Sequence, residues 1–122
     1  MASRYDSELA RKLNLKSGMR ARVIAQPAQL DLSALATTSD SDVEGTIAFV
    51  RTMEDVDRVA HEVVEAAKRG KVTWMAYPKA KQLGTDLNRD ILWKTMRERG
   101  IEANRQVSIN DTWSAMRFRT GV

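Results

Sequence analysis

GTIAFVRTMEDVDRVAHEVVEAAKRGKVTWMAYP, residues 45–78, carries the fold in its pattern. Gly45 to Val50 is a continuous apolar run of the kind found in strands buried on both faces. Thr52 opens a helix, because Thr52-Met53-Glu54-Asp55 resembles a capping box, with Asp reaching back less far than Glu. Met53, Val56, Val59, Ala60, Val63, Val64 and Ala67 then recur at helical spacing as one apolar stripe. Lys68 and Arg69 suit the negative end of the helix dipole, and Gly70 suits a left-handed stop. Val72 to Tyr77 is a second buried strand, ended by Pro78, which cannot donate to a ladder. Strand, helix and strand in this order predict parallel pairing through a right-handed crossover.

Upstream, Ser7 to Leu13 has the pattern of a short helix, Lys16-Ser17-Gly18 that of a turn, and Met19 to Ala25 that of a strand. Arg20 and Arg22 alternate with Ala21 and Val23, as expected near a sheet edge. Gln26 to Leu35 reads equally as a short helix or an irregular crossover. Thr37 to Glu44 is polar and acidic and reads as a loop. Downstream, Thr85 or Asp86 caps a further helix with Leu87, Ile91, Leu92 and Met96 facing inward, and Gly100 ends it. Arg105 to Ile109 and Thr112 to Arg119 flank Asn110-Asp111, a hairpin signal, since both residues tolerate positive φ. The expectation is one α/β domain over residues 1–122, with residues 1–6 frayed. It would be three-layered: a mostly parallel sheet, helices on both faces and a C-terminal antiparallel hairpin.

The composition sets bounds on function. A chain of 122 residues supports one real core, and 43% hydrophobic with 30% charged residues is ordinary for a globular protein. No apolar run approaches the ~20 residues of a membrane span, and the first residues lack the apolar centre of a signal peptide, so a cytoplasmic location is expected. Absence of Cys removes thiolate chemistry and disulfides. The net charge of +4 is uneven, with 8 basic against 9 acidic side chains in residues 1–60 and 12 against 7 in residues 61–122. Opposite charges are interspersed and no recognised nucleic-acid motif is present, which argues against nucleic acid as a partner.

Residues capable of chemistry are sparse. The segment after the first strand, Ile24-Ala25-Gln26-Pro27-Ala28-Gln29, has none of the glycines that let a dinucleotide approach the backbone, so no cofactor is expected. His61 is the only histidine and sits on a solvated part of the long helix. Asp40, Asp42 and Glu44 lack calcium-loop spacing, and no metal site is expected. Ser114 has neither a nucleophile elbow nor a histidine partner. Trp74, Trp93 and Trp113 read as core. What survives is the strand-to-helix junction from Tyr77 to Asp90, where ligands of open α/β sheets usually bind. Lys79, Lys81, Thr85, Asp86 and Arg89 crowd there beside Asp90, and Asp111 of the hairpin joins them if the last strands lie alongside. The set would bind a small anion or a protein partner, or form a salt-bridged lock between loop and helix. Lys79 with Asp86 could in principle transfer a proton, though nothing in the sequence tunes either group for it.

Four segments carry a resemblance over most of the chain. Lys12-Leu13-Asn14-Leu15-Lys16-Ser17-Gly18-Met19 and Ala76-Tyr77-Pro78-Lys79 are two of them. Thr85-Asp86-Leu87-Asn88-Arg89-Asp90-Ile91-Leu92-Trp93 and Asp111-Thr112-Trp113-Ser114-Ala115-Met116-Arg117-Phe118 are the others. Together they resemble a family of small bacterial domains with no assigned reaction. That resemblance implies a bacterial origin and supplies no catalytic residues. The strand pattern is also similar to the later half of a methyltransferase-like Rossmann sheet, an analogy of fold. The expected function is therefore a small domain without catalysis of its own, binding through residues 77–90. The alternative is a reduced methyltransferase-like transferase. Pairing of an exposed edge strand with a second copy is a third reading.

Overall fold

The computed structural model describes residues 12–13, 20–27, 36–38, 44–79 and 84–120. Six strands form one mixed sheet: β1 (Arg20–Ile24), β2 (Ala36–Thr38), β3 (Gly45–Phe49), β4 (Val72–Pro78), β5 (Ile101–Ser108) and β6 (Trp113–Thr120). Two helices, α1 (Met53–Lys68) and α2 (Arg89–Glu98), complete the described elements. The strand order is β2-β1-β3-β4-β6-β5. β2, β1, β3 and β4 pair in parallel, whereas β6 runs antiparallel to both β4 and β5. The chain is thus α/β with a C-terminal antiparallel hairpin, as its pattern predicts. The expected acidic loop from Thr37 contains a short strand instead. Ala36–Thr38 pairs with Arg20–Arg22 and moves β1 one place in from the edge. Three residues are too few to show a period of two.

Thr52 is the N-cap of α1, its hydroxyl accepting from the Asp55 amide at 3.3 Å. Asp55 reaches one residue further back than a capping box requires and accepts from the amide of Arg51 at 3.0 Å. The predicted stripe is buried at Val56, Val59, Ala60, Val63 and Ala67, with Met53 and Val64 packed at its margin. Gly70 stops the helix with φ at 76°. Each of the seven residues of β4 is buried, consistent with a strand inside a covered sheet.

The sheet separates two apolar layers. On one face, Ala48, Met75, Tyr77, Met116 and Phe118 meet both described helices through Val56, Val63, Leu92 and Met96. On the other, Ile47, Phe49, Trp74, Ala76, Trp113 and Ala115 pack with Leu13. The Trp74 indole N–H donates to the Leu13 carbonyl at 2.8 Å, and Phe49 meets Trp113 edge-on with centroids 5.3 Å apart. Trp93, expected in the core, is 41% exposed on α2, and Ile91 is 39% exposed. The helix also starts later than expected. Asn88, not Thr85 or Asp86, is the N-cap of α2 and accepts from Ile91 N at 2.8 Å. With 3.6 residues per turn Ile91 and Trp93 lie about 100° to either side of Leu92, so the face that turns Leu92 and Met96 inward leaves both at the flanks.

The β5–β6 hairpin holds a bulge. Ala103 pairs with Phe118, but Arg105 pairs with Arg117, so Asn104 is extra. An extra residue switches the faces of all that follows. Ile101 and Ala103 join the helix-side layer, whereas Val107 and Ile109 join the layer of Leu13. The turn spans Ile109 to Thr112 rather than the expected two residues. Asn110 Oδ1 holds it by accepting from the amides of Thr112 and Trp113, both at 2.8 Å.

Candidate functional site

At the carboxyl end of β4 the chain leaves the sheet and α2 begins. Between them lies a cleft of about 420 Å³. β4 supplies Tyr77 and, just beyond it, Lys79. The start of α2 supplies Asn88, Arg89 and Asp90, and the hairpin supplies Gln106 and Ser114. The sheet register explains the meeting, because Tyr77 lies opposite Ser114 on β6. The bulge at Asn104 brings Gln106 to the same face, where its amide donates to the Tyr77 phenol oxygen at 2.8 Å.

Tyr77 forms a buried floor. Burial pushes its phenol pKa above the ordinary value, because the phenolate is poorly solvated there; the Arg89 charge and a hydrogen bond with Ser114 act the other way. The phenol is therefore a neutral hydrogen-bonding group at physiological pH. Lys79 is fixed at both ends, its amide donating to Thr112 O and its ammonium to Ser108 Oγ, each at 2.7 Å. Arg89 lies against Asp90 with Nε 3.3 Å from Oδ1, and both side chains are largely exposed. The first turn of any helix presents amides without helical acceptors, and those of α2 adjoin the two cations. The cleft sets two cations, the carboxylate of Asp90 and the neutral side chains of Tyr77, Asn88, Gln106 and Ser114 around one space.

The predicted residues separate into different places. Lys79 and Arg89 line the cleft. Thr85 and Asp86 secure α1 instead: the Thr85 hydroxyl donates to Arg51 O at 2.5 Å, and Asp86 Oδ1 accepts from Met53 N at 3.0 Å. Thr85 Oγ1 also accepts from Leu87 N at 2.9 Å. Asp86 is thus bound to a helix start, and the geometry does not pair it with Lys79 for proton transfer. Asp111 is exposed in the hairpin turn and is not among the residues that line the cleft. Lys81 lies outside the described residues, as do Asp40, Asp42 and the predicted helix over residues 7–11. Sequence reasoning passed over Gln106 and gave Ser114 no more than packing or a local hydrogen bond. The partial signal was the hairpin itself, which had to return a strand beside β4.

A second hollow of about 300 Å³ lies beside α1, lined by Thr46, His61, Glu62, Glu65, Ala66, Arg69 and Lys71. His61 is exposed there, and Glu62 is engaged by Arg22 through Nε and through Nη2, the latter at 3.0 Å. Among the described residues no group of three or more acidic or histidine side chains is placed to hold a metal ion. No described helix is long and apolar enough to cross a membrane. Comparisons with protein-family models, with curated proteins and with solved structures give no match in any of the three.

Proposed function

We propose that this chain is a binding domain without catalysis of its own, and that the cleft between β4 and α2 takes a small anionic ligand. The observation that carries this reading is the convergence of Lys79, Arg89 and the start of α2 around the neutral Tyr77–Ser114–Gln106 floor. A carboxylate or phosphate would meet the cations and helix amides while its polar remainder met the floor. Titration of the protein with inorganic phosphate and with short dicarboxylates, followed by amide chemical shifts, tests it. Saturable shifts centred on Tyr77, Lys79, Arg89 and Ser114 are expected. Lys79→Ala and Arg89→Ala should weaken them at least ~10-fold, an effect of about 1.4 kcal/mol, with the melting temperature held. Unchanged binding in both variants, or lost stability alone, would leave these residues a structural role only.

A second reading rests on the strand order. β6 lies antiparallel between β4 and β5, after a run of parallel strands. This resembles the end of a methyltransferase-like sheet and favours a reduced transferase, with a helical layer on the Leu13 side completing three layers. Against it stands the turn after β1, Ala25-Gln26-Pro27. Ala25 holds a φ of 60°, a conformation that glycine adopts without strain, and its Cβ stands where a cofactor loop needs open backbone. Heat stabilisation by S-adenosylmethionine would support this second reading; no shift at saturation would remove it.

A further inference from the structure

We propose that Arg105, Arg117 and Arg119 form a track for the phosphodiester backbone of a single-stranded nucleic acid. The register puts Arg105 directly opposite Arg117, and Arg117 in turn opposite Trp74. All three therefore share the sheet face away from α1 and α2. Arg119 follows on that face, opposite Glu102. Glu102 is engaged by Arg97 at 3.2 Å, so the carboxylate nearest the row is already committed. Among the described residues, Arg105, Arg117 and Arg119 make no ion pair. Arg105 and Arg119 are exposed and Arg117 is half-buried.

Like charges directly opposite one another destabilise a strand pair. This pair exists only because of the bulge at Asn104; with regular pairing Arg105 would fall on the helix face. Bulges are over-represented at sheet edges, such as β5, and next to active sites, where they re-aim a side chain. What relieves the pair is an anion dense enough to satisfy two guanidinium forks, and a phosphate group does so better than a carboxylate with its two oxygens. Arg117 and Arg119 stand one pleat repeat apart, ~6.8 Å. The cations form a row rather than converging on a point, which suits a chain of repeating charge. Lys12, whose ammonium lies 3.5 Å from the Ser108 carbonyl, adds a cation toward the other end of β5. Trp74 and Trp113 are buried, so no base stacks on them. The contact would be to the backbone and independent of base sequence. An acidic protein segment is the competing occupant.

Fluorescence anisotropy with a labelled oligothymidylate, repeated over a series of salt concentrations, tests the proposal. Affinity should fall as salt rises. Each of Arg105→Gln, Arg117→Gln and Arg119→Gln should flatten the slope of log K against log salt by about 0.7. The triple variant should lose binding while keeping its circular dichroism spectrum, and Lys94→Gln, exposed on α2, should bind as wild type does. Absence of binding by the wild type, salt-sensitive binding retained in the triple variant, or tighter binding of a polyglutamate peptide would each overturn it.

Discussion

Thr85 and Asp86 sit within seven residues of Lys79 in sequence and do different work. Asp86 accepts the first amide of α1 from 33 positions downstream, where a carboxylate also meets the positive end of that helix. Asp86→Ala should cost about 1 kcal/mol, the usual loss for a helix cap, read from urea unfolding, whereas Lys79→Ala should cost less than ~0.5 kcal/mol. Tyr77 gives a pH signature. Its folded-state pKa lies above the ordinary 10.0, so the folded form holds the phenolic proton more tightly than the unfolded chain does. That contribution is complete below pH 10 and is lost as pH rises from there through the folded value. Tyr77→Phe should therefore flatten the alkaline fall in unfolding free energy above pH 10, with little change in its slope below pH 9. Arg105 faces another arginine, and Arg105→Gln should leave the protein as stable as wild type or more so, by up to about 1 kcal/mol.

At the scale of elements, the β-α-β core was legible and the hairpin only in part. The stripe from Val56 to Ala67 matches the helical period, and β3 and β4 are short continuous apolar runs bounded by breakers, the mark of buried strands. α2 was legible in its inward residues Leu92 and Met96 but not in its start. Thr85 and Asp86 are good cap residues, yet both side chains are taken by α1, a contact no local pattern reports. In β5, Ile101, Ala103, Val107 and Ile109 alternate as though they shared one face. The extra residue at Asn104 sends the first two to one layer and the last two to the other. Deleting Asn104 would restore regular pairing and keep Arg105 opposite Arg117, Gln106 opposite Met116 and Val107 opposite Ala115, each on its present face. A change of less than ~1 kcal/mol in urea unfolding is expected, since no apolar side chain leaves the core. The Gln106–Tyr77 hydrogen bond should persist, visible as unchanged exchange of the Gln106 side-chain amide.

At the scale of the whole molecule, the cleft is assembled from three separate parts of the chain, and that is why only one of its walls could be read in advance. Lys79 and Arg89 belong to a junction whose type is evident from Pro78 and the polar loop. Ser114 and Gln106 arrive through strand register, which depends on a single bulged residue. The arginine row on the opposite face was concealed by the same register, because in sequence Arg105 and Arg117 are merely two basic residues among many. The link from Asp86 to Met53 also has a consequence for the order in which the protein can be made. A ribosome that has released residues only as far as Pro78 has delivered all of α1 and both flanking strands, but not the carboxylate that closes the first helical turn. On a nascent chain arrested at that length, the amide protons of Met53 and its neighbours should exchange freely, and they should become protected once Asp86 has cleared the exit tunnel.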